Sequence, residues 1–423
     1  MHADELRATE PQGLSGDARD AQTTRCCIVG GGPGGAVLAL LLARHGIPVV
    51  LLESHGDFER DFRGDTLHAS VLELLDSIGL AEPLLKLRHA KVSGVNLPTR
   101  RGPAQVELFG SLQTKFPFIT VMAQSQFLDF ITAEARRYPS FTLLMGTRVD
   151  GLIEESGVVR GVRYRTSEGS HELRATLTVA ADGRFSTVRK LAGLTPVPTA
   201  SPIDVLWFRL SRQPDDPTET LAARVGSGLF LVCIDRFDYW QIACTITKGS
   251  YAQVREAGLG QLRQRLAAVA PEFAERVDEL QSWQQIAVLN VESSRLKQWH
   301  RPGLLLIGDA AHVMSPVGGV GINYAIQDAV VAANQLSAPL KAGGPIAERT
   351  LAAIQREREL PTRLMQTFQA LVQRQVGVVM ARTGGRGQMA VPAIFLPLLR
   401  LRWLLAVPAR FIAYGFCPPR LTV

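Results

Sequence analysis

The chain has 423 residues, 46% of them hydrophobic and 20% charged, a composition that supports a large buried core and a prior of two domains. A net charge of +7 allows an anionic cofactor or a membrane surface, but no Lys/Arg-rich run carries interleaved aromatics, so nucleic acid is excluded as a partner. Cys26, Cys27, Cys233, Cys244 and Cys417 form no CxxC spacing and read as reduced thiols of a cytoplasmic protein.

Residues 1–22 are polar, mixed in charge and free of an apolar signal core, and are expected to be a disordered leader. Arg25 to Val29 then reads as a buried strand. Gly34 to His45 reads as an apolar helix ended by Gly46, and Pro48 to Leu52 as a second strand. In this βαβ opening, Gly30, Gly32 and Gly35 match GxGxxG. The first glycine allows a tight turn, the second lets a pyrophosphate approach the backbone, and the third permits close helix–strand packing. The helix N-terminus offers free N–H groups and a favourable dipole to the phosphates. Glu53 closes the second strand, where an acid binds a ribose hydroxyl pair. These features predict a dinucleotide and leave NAD and FAD open.

Residues 63–88 are expected to be helical, with Leu72, Leu75 and Ile78 at helical spacing, followed by strands and loops over 90–121 and a helix over 125–137. Residues 143–180 alternate as antiparallel strands do. They lead into Asp182-Gly183-x-x-Ser186-x-x-Arg189. A second strand block spans 203–247, where "LFLVCID" and "YWQIACTI" flank a short turn and predict a hairpin. Residues 250–281 read as helical. The strand "GLLLIGD" delivers Asp309, Pro316 and Gly318 turn the chain, and Gly321 and Asn323 fall in the first turn of a long helix. Asp309 suits the ribityl chain of a flavin. The helix N-terminus would face the flavin's pyrimidine edge and stabilise the negative charge of its reduced form. No HExxH, Walker A, GxSxG or metal-spaced Cys/His cluster occurs, so hydrolytic and metal chemistry are excluded and no metal ligand is assigned.

The three motifs, in this order, resemble the class A FAD-dependent aromatic monooxygenases, the para-hydroxybenzoate hydroxylase family, over residues 24–340. The resemblance implies an α/β fold: a Rossmann-like FAD-binding domain of the glutathione-reductase type, an interleaved β-rich substrate domain, and C-terminal helices. It assigns 23–89, 120–200 and 285–340 to FAD binding, 90–119 and 201–284 to the substrate domain, and 341–423 to a helical segment. Beyond Gly30, Gly32, Gly35 and Glu53, the implied cofactor residues are Arg63, Gln124, Asp182, Gly183, Gly308 and Asp309. Gly321, Ile322 and Asn323 complete them at the helix N-terminus. Asp182 and Gly183 serve both FAD and NAD(P)H in the family, so no separate nicotinamide domain is expected.

The implied reaction takes electrons from NADPH or NADH, adds O2 to give a flavin C4a-hydroperoxide, and inserts one oxygen atom into an electron-rich aromatic or heteroaromatic small molecule of secondary metabolism. The cofactor carries that chemistry, and the protein orients substrate and excludes water. Pro316, Gly318, Gly319 and Gly321 would form the environment of the adduct. His312 and His68 are candidate proton carriers, although the histidine of GDAAH more often supports the loop. In the strand block, Trp207, Arg209, Phe230 and Trp240 are candidate substrate contacts. No carboxylate clamp stands out there, which favours an apolar, uncharged substrate. Two rivals are a geranylgeranyl-reductase-type flavoprotein reductase and a non-catalytic flavin-binding accessory protein. No apolar run is long enough to predict a spanning helix. The stretch 389–416 fits either a membrane surface, with peripheral attachment, or a helix pair closing the core or the substrate entrance; the second is favoured. A monomer or a homodimer is expected.

Overall fold

The computed structural model describes residues 22–59, 65–99, 102–217, 221–236, 238–383, 389 and 402–423. Strand β1 (Gln22–Val29), helix α1 (Pro33–Arg44) and strand β2 (Val49–Leu52) form the opening unit. The rest of the expected leader, residues 1–21, lies outside the described residues.

β1 is central because Cys26, Cys27 and Ile28 are fully buried on both faces, as strands inside a covered parallel sheet must be. It pairs in parallel with β2 and with Gly169–Ala180, and Phe141–Leu144 and Leu304–Leu306 extend the parallel sheet on either side. The expectation of purely antiparallel strands over 143–180 is therefore corrected in part. Arg148–Glu155 and Val158–Thr166 form an antiparallel meander with the start of Gly169–Ala180. The end of that strand runs parallel to β1, with Val29 opposite Ala180.

Helix α1 is buried over nearly its whole length, packed between the helices Gln124–Ala135 and Gly321–Ala342. A helix apolar all round requires such a sandwich. Gly34 permits the approach: a Cβ there would lie 3.0 Å from the Ala325 carbonyl oxygen. The single helix expected over 63–88 is two, Ala69–Ser77 and Ala81–Leu85. Gly79 separates them at φ +77°, a left-handed helix stop. Similarly, 250–281 is Tyr251–Glu256, Leu259–Val269 and short 3-10 turns, with Gly258 at φ +89° between the helices.

A seven-stranded sheet runs in the order Ala287–Leu289, Ile203–Ser211, Tyr239–Thr247, Leu229–Asp235, Leu221–Gly226, Gly94–Thr99, Gly102–Glu107. The expected hairpin is present, with Phe230 opposite Thr245. Period-2 alternation gives the sheet two faces. Leu206, Phe208, Leu231, Trp240 and Ile242 bury against Leu259–Val269 and the turns that follow it. Val205, Trp207 and Val232 lie on the opposite face. Among the described residues, the helices Glu348–Arg382 and Arg402–Tyr414 follow.

The glycine loop yields a stability prediction. A Cβ at position 35 would sit 2.1 Å from the Gly30 carbonyl oxygen, so Gly35→Ala should cost about 1–3 kcal/mol by overpacking. Denaturant unfolding of the apoprotein reads this loss.

Candidate cofactor site

Gly30, Gly32 and Gly35 are needed for three different reasons. Gly30 holds φ +105°, and a Cβ there would meet the Ala181 carbonyl oxygen at 2.4 Å. Gly35 presses on Gly30 itself. At Gly32 an added Cβ would meet nothing within 4 Å, which leaves room for a phosphate against the backbone. The buried Glu53 carboxylate closes this loop from β2. Its Oε2 accepts from the Gly31 N–H at 2.9 Å and its Oε1 from the His55 N–H at 3.0 Å.

Two helices start beside this region, α1 and Gly321–Ala342. Neither has a side-chain cap or an acidic residue in its first turn. The first amides of a helix lack intrahelical acceptors and carry the positive end of the dipole. Two uncapped N-termini on one parallel sheet suit a ligand with two anionic regions, as FAD has in its pyrophosphate and its reduced ring. The residues present fit that group.

Between them lie the loops of Asp182 and Asp309. Asp182 points inward: its carboxylate accepts from Ser186 Oγ at 2.5 Å and from the Val188 N–H at 3.0 Å, building the short helix Thr187–Leu191. Burial pushes its carboxyl upward against these bonds. Gly183 turns the loop at φ +80°. Arg189 joins the two loops, donating to the carbonyl oxygens of Arg184 at 2.6 Å and Ala310 at 2.9 Å.

Beneath Asp309 lies a buried charged cluster that the motifs do not name. The Asp328 carboxylate accepts from the Gly308 N–H at 2.9 Å, His312 Nε2 at 2.6 Å and Arg358 Nε at 2.8 Å. Burial alone would raise the Asp328 carboxyl, but His312 and Arg358 outweigh it and hold it below the ordinary carboxylate value. His312 is thereby corrected as a proton carrier for substrate: it is 1% exposed, bonded to Asp328 and packed on Trp299 at 4.8 Å.

The Pro316–Gly319 segment is held at its far end by Gly319, whose carbonyl accepts from Thr66 Oγ1 at 2.9 Å and Asn323 Nδ2 at 3.2 Å. Asn323 also accepts from the His68 N–H at 2.8 Å, so its side chain ties the strand Thr66–Leu67 to the helix start. Gly321 and Ile322 precede it in the same first turn. His68 is corrected as a base as well. It is fully buried, its Nδ1 lies 2.6 Å from the Ile412 carbonyl oxygen, and burial pulls it down to about 4.

Gln124 begins its helix with its backbone N–H on the Asp65 carboxylate, and Asp65 pairs with Arg236 of the seven-stranded sheet at 2.7 Å. Arg63 lies outside the described residues. Among the substrate candidates, Trp207 and Arg209 share one sheet face, and the Arg209 guanidinium lies 4.8 Å from the Tyr239 ring centre. Phe230 joins that face, pairing with Thr245. Trp240 does not. It is in the rear core, with Nε1 donating to Asp216 at 2.7 Å, because its parity places it opposite Leu210.

Sequence reasoning missed Asp328, Arg358, Thr66 and Arg236. One signal was available: Asp328 is the sole charged residue in the helix stretch "GINYAIQDAVVAA".

Residues 23–367 match the FAD binding domain family. The chain is 36% identical over 380 residues to a 6-methylpretetramide 4-monooxygenase of Streptomyces rimosus, covering 88% of this chain and 90% of that one. It is 26% identical to a para-nitrophenol 4-monooxygenase of a Pseudomonas strain, covering 75% and 78%. The fold matches the structure of PqsL of P. aeruginosa in complex with 2-aminobenzoylacetate. That match has a TM-score of 0.73 and 22% identity, and covers 86% of this chain and 99% of that one.

The buried cluster carries a prediction. Asp328→Asn removes the charge facing Arg358 and should cost about 3–5 kcal/mol. The carboxylate's folded value is depressed, so its contribution is full above about pH 4 and is lost as pH falls through the folded value. The gap between wild type and variant in thermal unfolding should accordingly narrow in acid.

Proposed function

The chain belongs to the FAD binding domain family and is an FAD-dependent monooxygenase using NAD(P)H and O2, and on that premise we propose how its residues divide the work and what it oxygenates. The substrate is an apolar aromatic or heteroaromatic small molecule of secondary metabolism. The observation that carries this reading is the sheet face of Val205, Trp207 and Val232, packed with Ala243 and Val291 and opposite the rear core. Arg209 is the cation on that face.

Bound FAD supplies the transfer of electrons from NAD(P)H and the activation of O2. Gly30, Gly32 and Gly35, with the start of α1, hold the pyrophosphate, and Glu53 holds the ribose. Asp309 holds the ribityl chain, with its loop fixed by Gly308 on Asp328 and by Arg189. Gly321, Ile322 and Asn323 direct their amides to the pyrimidine edge, where they favour negative charge on the ring. Pro316 turns the chain, and Gly318 and Gly319 would leave backbone, not side chains, beside the reacting edge. Trp207 and Phe230 exclude water from the substrate. No described histidine acts as base in this scheme, which suits a substrate whose own phenol or enol is acidic.

Within the stretch 389–416, residues 390–401 lie outside the described residues, and the helix Arg402–Tyr414 supports the core-closing role over the membrane-surface one. Ala409 and Ala413 bury against Ala69, Val92 and Val121, beside Leu221 and Ile234 of the seven-stranded sheet. The helix Arg402–Tyr414 thus packs against the seven-stranded sheet and the short strands Ala90–Val92 and Ile119–Val121. Among the described residues no helix is long and apolar enough to cross a membrane.

Oxygen uptake tests the reading. A screen of polycyclic phenols should find a compound that accelerates NAD(P)H-dependent O2 consumption and gains one oxygen atom by mass. Alkene reduction without O2 uptake would favour the reductase rival, and a yellow protein that NAD(P)H never bleaches would favour the accessory one. With such a compound, Trp207→Ala should raise KM by roughly tenfold, the loss of one large apolar contact. Trp240→Phe should lower the melting temperature and leave KM unchanged. Asp309→Ala should weaken FAD retention at least several-fold in a fluorescence titration.

A further inference from the structure

We propose that Gln369 and Gln373 of the Glu348–Arg382 helix are positioning residues that set the shape of the Pro316–Gly319 segment at the reacting edge of bound FAD. The proposal rests on the FAD-monooxygenase reading, but the contacts that motivate it belong to the protein alone.

Ser315, the residue before this segment, is buried and saturated by the two amides. Its N–H donates to Gln369 Oε1 at 3.2 Å, and its carbonyl accepts from Gln369 Nε2 at 2.9 Å. The same Nε2 reaches the Val317 carbonyl at 2.8 Å. Gln373 Nε2 donates to Ser315 Oγ, which also accepts from the Val317 N–H at 3.2 Å. At the other end, Gly319 is held by Thr66 and Asn323. Between the anchors, Gly318 and Gly319 adopt φ of +78° and +63°. Two glycines would let an unanchored segment sample many conformations. The clamps at Ser315 and Gly319 remove that freedom.

The residue type fits the task. An amide offers two N–H donors and an acceptor oxygen on one planar group that stays uncharged at every pH. A glutamate would keep the acceptor, lose both donations and place negative charge near the ring.

The buried side of the helix mixes apolar residues, Leu351, Ile354 and Met365 among them, with an unusual number of polar ones. Arg358, Thr362, Gln366, Gln369 and Gln373 are buried, whereas Leu360 is 58% and Leu371 57% exposed. Buried amides are costly unless fully bonded, so this face matches the backbone it meets, not a generic apolar core. The same face carries an internal control. Gln355 is anchored equally, accepting from the Trp299 N–H at 2.9 Å and donating to the Lys297 carbonyl at 2.8 Å, but it serves a different loop.

The test compares Gln369→Leu with Gln355→Leu in the FAD-loaded full chain, reading melting temperature, visible flavin absorption and flavin midpoint potential. Both variants should lower the melting temperature. Only Gln369→Leu should shift the absorption bands and the potential, and Gln369→Glu should make the flavin harder to reduce. An unchanged spectrum and potential in Gln369→Leu, or an equal shift in Gln355→Leu, overturns the proposal. If Gln369→Leu does not fold, Gln373→Met, which removes only the bond to Ser315 Oγ, is read in the same way. Failure of the wild-type chain to take up FAD would instead refute the reading beneath the proposal.

Discussion

The carboxylate of Asp328 is the point on which the cofactor side of the molecule depends. It is fully buried with Arg358 and His312, and desolvating such groups is costly unless every charge meets a partner. Asp328 meets three, on a loop, a short strand and a second helix. Removing any one leaves a buried charge or donor unsatisfied, so the three elements hold one arrangement. The Gly308 N–H is one of those partners, and Asp309 follows it directly. The geometry of the Asp309 loop is therefore set before any ligand arrives, and binding need not supply its ordering.

The network extends to the end of the chain. Arg358 donates to Gln327, Gln327 donates to the Tyr414 carbonyl, and Tyr324 OH accepts from the Phe416 N–H. Farther along the same helix, Asn334 bonds the backbone of Arg420 and Thr422. The helix Gly321–Ala342 and the terminal segment are thus one polar unit.

Legibility in the sequence followed the kind of constraint involved. The βαβ opening, the hairpin at 229–247 and the helix after Gly319 were readable because local rules produce them: apolar periodicity, a glycine stop, a two-fold alternation. The helix breaks at Gly79 and Gly258 were missed, although each is a left-handed glycine stop. Trp240 was misassigned because strand parity shows which residues share a face but not which face meets the cofactor. Asp182 kept its motif position but directs its carboxylate into its own turn, a choice decided by Ser186 and the Val188 amide. The Glu348–Arg382 helix was least legible. Its buried side sets Gln355, Arg358, Gln366, Gln369 and Gln373 among apolar residues, so hydropathy alone does not mark the inward face, and the backbone it packs against explains the buried amides.

The two ends of the cofactor site are consequently built in different ways. At Gly30–Gly35 the requirement is the absence of side chains, met by backbone shape and backed by a parallel sheet buried on both faces. That end tolerates little substitution and carries no substrate information. At Ser315–Asn323 the requirement is hydrogen bonding by residues distant in sequence, Thr66, Gln369 and Gln373 among them. The seven-stranded sheet is joined to the rest of the molecule by the Asp65–Arg236 pair and the apolar contacts of Ala409 and Ala413. Side chains such as Trp207 and Phe230 can therefore change without disturbing either anchor.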